Sequence, residues 1–89
     1  MELVLATNWV KVFKQDDMYV FVSKEDTKDE DAPYSLQVRF EVDNVDVKVS
    51  PAFADEDKRD DKFDKAASDN VLKMVNGIKE QFFKSKSVL

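Results

Sequence analysis

The sequence predicts an α+β domain: an antiparallel meander of four strands, five if the N-terminal stretch adds one, packed on one long C-terminal helix. Tyr34–Ser50 alternates apolar and polar residues with the period of a half-buried strand. Phe63–Phe83 repeats its apolar residues at helical spacing instead. Trp9–Lys24, rich in valine and aromatics, supplies the rest of the sheet. At 89 residues the chain is expected to form a single domain, 1–89, with a core too small for more than marginal stability.

Met1–Asn8 carries the apolar run Leu3-Val4-Leu5, which reads as a strand or a strand lead-in. Trp9–Lys24 reads as a hairpin about a three-residue loop, Gln15-Asp16-Asp17. That loop would pair Lys14 with Met18, Val12 with Val20 and Val10 with Val22. The valines would share one face, and Trp9, Phe13, Tyr19 and Phe21 would occupy the other with Lys11. Such a hairpin is apolar on both sides, unlike a sheet covered on one side only. Ser23–Pro33 is acidic and ends in Ala32-Pro33, so it reads as a loop whose length marks it as mobile or functional.

In Tyr34–Ser50, Leu36, Val38, Phe40 and Val42 alternate with polar residues, and Val45, Val47 and Val49 continue after a phase shift at Asp43-Asn44. A two-residue hairpin turn requires that shift, and Asn44 tolerates the left-handed backbone it needs. All seven apolar side chains then face the helix. Pro51 is expected to end the sheet, because it cannot donate to a ladder.

The helix stripe runs through Phe63, Ala67, Val71, Met74, Ile78 and Phe82, widened by Ala66 and Val75. Leu72 and Phe83 flank it and are expected to widen the core. Acids cluster toward its N-terminus, with Asp55 or Asp57 as N-cap, and Lys79, Lys84 and Lys86 lie toward its C-terminus, as the helix dipole favours. Gly77, the sole glycine, points to close packing or a slight bend.

The composition narrows the chemistry. The chain has no Cys and no His, so it lacks thiolate zinc ligands and the usual neutral-pH general base. Its serines have no base to activate them, and one glycine cannot build a phosphate-cradling loop. The carboxylates of Asp29-Glu30-Asp31 sit in a polar loop where nothing would raise a pKa for acid catalysis. Neither Asp55, Asp57 and Asp60 nor Asp26, Asp29 and Asp31 keep the spacing of a calcium loop. The expectation is a non-enzyme without metal or cofactor. No stretch approaches membrane-spanning length, and Glu2 stands where a secretory leader would be basic, so the cytoplasm is the expected location.

Surface residues remain as candidates. Trp9, Phe13, Tyr19 and Phe21 form a prospective aromatic patch for a partner or for a second copy of the chain. Asp29, Glu30, Asp31, Asp57, Asp60 and Asp61 form a prospective acidic surface for a basic protein partner. Net charge is −5, which disfavours non-specific nucleic-acid binding. In composition the chain resembles phage and mobile-element inhibitors that act by occlusion or nucleic-acid mimicry. Val47-Lys48-Val49-Ser50-Pro51 leading into a helix looks like transcription cofactors of the positive-cofactor-four type. That resemblance implies an alternative: single-stranded nucleic acid bound on the sheet, with Lys11, Lys14 and Arg39 near phosphates and dimerisation through the helix.

Overall fold

The computed structural model describes the backbone of residues 1–87 and the side chains of residues 1–81. It is α+β. The strands are β1 (Glu2–Ala6), β2 (Val10–Gln15), β3 (Met18–Asp26), β4 (Tyr34–Val42), β5 (Val45–Val49) and β6 (Ala52–Phe53). Two helices follow, α1 (Glu56–Lys65) and α2 (Ser68–Ser87). The sheet is antiparallel in the order β1-β2-β3-β4-β5, and β6 pairs with the start of β4. The N-terminal stretch adds the fifth strand, and the short sixth lies beyond the expected meander. Pro51 interrupts the sheet without ending it: its carbonyl accepts from Leu36 N at 3.1 Å, and pairing resumes at Ala52.

The β4–β5 ribbon has the register its alternation predicts, with Val42 opposite Val45, Phe40 opposite Val47 and Val38 opposite Val49. Asp43 and Asn44 both take positive φ, 51° and 65°, the signature of a type I′ turn. Leu36, Val38, Phe40 and Val42 are buried under the helices, Val47 is half-buried, and Val45 and Val49 stay exposed at the edge.

The first hairpin corrects the expected register. Its turn has two residues, Asp16 and Asp17, not three, so Gln15 faces Met18 and Phe13 faces Val20. Asp16 takes the left-handed φ of 53°. A one-residue slip exchanges the faces of a strand. Phe13 therefore leaves the predicted aromatic patch and lies fully buried with Val20 and Val22 against the helices. Val10 and Val12 move to the outer face beside Phe21, which is opposite Val12.

The single long helix is also corrected. The chain breaks at Ala66, whose ψ is 118°, although alanine is the best helix former. An unbroken helix over 56–87 would be about 48 Å long, against a longest molecular extent of 37 Å. Breaking it lets both pieces lie on the sheet. Asn70 secures the joint: its Oδ1 accepts from Ala67 N at 2.8 Å, and its Nδ2 donates to the Lys65 carbonyl at 2.6 Å.

The break also resets the stripe. Phe63 of α1 and Val71 and Val75 of α2 are buried, with Ile78 packed beside them, whereas Ala67 and Met74 are exposed. Leu72 is half-buried. The side chains of Phe82, Phe83, Lys84 and Lys86 lie outside the described residues. Gly77 has no close neighbour, since a Cβ there would meet nothing within 4 Å, so packing does not explain it. Asp55 is the N-cap of α1, its carboxylate accepting from Asp57 N at 2.9 Å.

Candidate functional surfaces

Arg59 joins the two acidic segments. It lies on α1, is 2% exposed, and stacks over the Tyr34 ring at 5.3 Å. Its Nη1 donates to the Glu25 carbonyl at 3.0 Å, and its Nε donates to Asp60 Oδ1 at 2.8 Å. Asp26 and Glu56 each stand 3.7 Å from the guanidinium. Lys24 reaches the same Asp60 oxygen at 3.4 Å. A guanidinium this buried is tolerable only with such partners.

The adjoining loop is held by its own hydrogen bonds. Thr27 N donates to the Pro33 carbonyl at 2.7 Å, and Thr27 Oγ1 donates to the Ala32 carbonyl at 2.7 Å. Asp29 Oδ1 accepts from Asp31 N at 2.9 Å. The segment predicted to be loop from Ser23 pairs in β3 as far as Asp26, and the loop itself is residues 27–33, closed by Thr27.

Asp29, Glu30, Asp31, Asp57 and Asp61 are exposed. Asp60 is not a free surface charge: it is half-buried, and the Arg59 hydrogen bond, helped by Lys24, holds its carboxyl below its ordinary value of 3.8 although desolvation opposes this. Asp61 pairs with Lys65 at 2.8 Å. Glu25–Asp31 carries five carboxylates and one lysine, and Asp55–Lys65 carries six carboxylates and four cations. The two segments thus hold six net negative charges, against −5 for the whole chain. The acidity of the protein is concentrated where Arg59 joins them.

The second surface is the sheet face turned away from the helices. Cross-strand pairing aligns Leu5, Val12, Phe21, Arg39 and Lys48 in one row, apolar toward β1 and cationic toward β5. Tyr19 and Phe21 are each 46% exposed there. With Val10, Ser23, Gln37 and Arg39 they line an open groove of about 890 Å³. Arg39 is engaged by Asp46, Nε to both carboxylate oxygens at 3.1 Å and Nη2 to one at 2.9 Å.

The four predicted patch aromatics therefore separate. Tyr19 and Phe21 share the open face and Phe13 is core. Trp9, 58% exposed, sits by Lys24, whose ammonium is 5.6 Å from its ring and 4.9 Å from that of Phe63. The sequence pattern singles out neither Arg59 nor Lys24. One lysine on the core side of an apolar strand, and one arginine in a helix turn of acids, are the signals that could have singled them out.

Among the described residues, no group of three or more His, Cys, Asp or Glu side chains is placed to hold a metal ion. Among them, too, no helix is long and apolar enough to cross a membrane. No protein-family model matches the chain, nor does any curated protein or solved structure, so its function has to be read from its own geometry.

Proposed function

We propose that this chain is a small non-catalytic binding module that occludes a basic site on a partner protein. The union of the two acidic segments around Arg59 carries the reading. Carboxylates on a pinned loop and on α1, in segments that Arg59 ties together, offer a preorganised anionic surface. Such a surface steers and orients a cationic partner, much as a nucleic-acid backbone does. This is the mode of action that the compositional resemblance to phage inhibitors implies.

The test uses the immobilised full chain and a variant carrying D29N, E30Q, D31N, D57N and D61N, residues that leave the Arg59 cluster intact. Extract of the native cell is passed over both, and retained proteins are identified by mass spectrometry. The expected result is a basic-surfaced protein retained by the parent chain, released by moderate salt, and not retained by the variant. Equal retention by the two would refute charge mimicry.

One observation favours a second reading. Tyr19 and Phe21 stand exposed beside Arg39 on an open sheet, where bases of a single strand can stack. The Asp46 carboxylate on Arg39 weighs against it. A labelled oligonucleotide titrated at low salt decides this, since absence of binding there removes the alternative.

A further inference from the structure

We propose that β1 is the docking edge for a second copy of this chain, joining two sheets into one continuous sheet across a two-fold axis. β1 pairs only with β2, so among the described residues the backbone N–H and C=O groups along its other edge have no strand partner. Leu3, Val4 and Leu5 are 46%, 45% and 50% exposed. A bulge between Leu3 and Leu5 sets these two leucines on opposite faces, since Leu3 lies opposite buried Phe13 and Leu5 opposite outer-face Val12. Both faces of β1 are therefore apolar. Edges that must stay free carry charges, proline or bulges; β5, at the opposite edge, carries Asp46 and Lys48, whereas β1 has its bulge alone. β1 has no charge after Glu2 and no proline.

A second copy fits this edge better than a charged peptide, which would find nothing to pair with along Leu3–Ala6. Two antiparallel β1 strands supply each other's missing hydrogen bonds and bury like against like. Charge permits the approach. The acidic segments gather around α1, which packs on β3, β4 and β6, whereas β2, next to β1, carries no carboxylate. The two acidic faces would therefore point away from the join. A five-residue strand is only about 17 Å long, so the contact falls at the small end of specific interfaces and the dimer should be reversible and concentration-dependent. The inference does not depend on the proposed acidic-face function.

Sedimentation equilibrium of the full chain, from about 5 to 500 µM, tests it at the range where small interfaces saturate. The expected mass rises from 10.3 kDa toward twice that value. Amide hydrogen exchange in the parent chain should show β1 protection rising with concentration. Val4→Lys and Leu5→Lys, each at an exposed site, should weaken association at least ~10-fold, the effect of placing an unpaired charge in an apolar contact, and leave the circular dichroism unchanged. A monomer throughout, larger assemblies than the dimer, or a dimer unmoved by both substitutions would each overturn the proposal. So would a dimer lost only on Tyr19→Lys or Phe21→Lys, which would place the interface on the open sheet face. Should a lysine variant fail to fold, the concentration dependence of β1 exchange in the parent chain decides alone.

Discussion

Lys11 holds Phe63 in two ways at once: its ammonium donates to the Phe63 carbonyl at 2.8 Å and stands 4.9 Å from the centroid of the same residue's ring. The same nitrogen donates to the carbonyls of Asp64 and Ala66, each at 3.1 Å. The Phe63 carbonyl also accepts from Ala66 N at 3.1 Å, and all three carbonyls lie at the end of α1, where helical partners run out. A strand lysine thus serves as the C-terminal cap of α1, at the negative end of its dipole. Lys11→Met keeps the apolar stem and removes the donors. The expected loss is about 1–3 kcal/mol, because these are charge-assisted bonds in a half-buried site. A thermal melt should fall by roughly 4–8 °C per kcal/mol for a domain of this size. A melt unchanged from the parent would show that water replaces Lys11 without penalty.

The reason Lys11 was not legible in the sequence is the reason the first hairpin slipped. Both faces of Trp9–Lys24 are apolar, so no polarity contrast distinguishes a two-residue turn at Asp16-Asp17 from a three-residue one. In β4 and β5 the charges of Arg39, Glu41, Asp46 and Lys48 mark the outer face, and there the register follows from the alternation. The helix break could not be read at Ala66-Ala67 because neither residue is a breaker. It follows from the size of the sheet and from Asn70 and Lys11, which act across the joint. The acidic segments were visible as charge, but their meeting depends on Arg59, whose burial is a tertiary fact.

Arg59 gives the second prediction. Arg59→Met should destabilise the fold by about 2–4 kcal/mol, toward the low end for breaking a buried charge cluster, because Asp26 and Glu56 remain 78% and 56% exposed and water can solvate them. Exchange of the Thr27 and Glu25 amides should quicken more than that of β5, as the loop loses its tie to α1. Arg59→Lys should recover only part of the loss, since an ammonium cannot serve the Glu25 carbonyl and Asp60 in the same plane. Uniform quickening across the sheet would mean Arg59 supports the whole core rather than the junction.

The β4–β5 turn offers a stabilising change. Asn44 holds a φ of 65° and follows Asp43 at 51°. Asp-Gly is a favoured pair for a type I′ turn, and glycine relieves the Cβ penalty of the left-handed region. Asn44→Gly should raise stability by about 0.5–1 kcal/mol, net of the greater freedom glycine has when unfolded. Urea unfolding should show a higher midpoint with an unchanged slope. A lower midpoint would mean that the Asn44 side chain stabilises the turn by more than its backbone strain.

Acid should act on the Arg59 junction through Asp60. The Arg59 hydrogen bond lowers the Asp60 pKa in the fold, with Lys24 adding to it and desolvation opposing it. A carboxyl with a depressed folded pKa stabilises the fold above its unfolded value, and that contribution is lost as pH falls through the folded pKa. Other carboxylates titrate in the same range, so the informative quantity is the difference between the parent and Asp60→Asn. The asparagine keeps the size of the side chain without its charge. The parent should melt higher than Asp60→Asn from pH 7 down to about pH 5, and the gap should narrow below about pH 4 as Asp60 protonates. Melting curves of both proteins from pH 7 to about pH 2 measure this directly. A gap that stays constant or widens with acid would show that Asp60 gains nothing from its ionised form, and that Arg59 is held by its backbone contact with Glu25 and by Tyr34 instead.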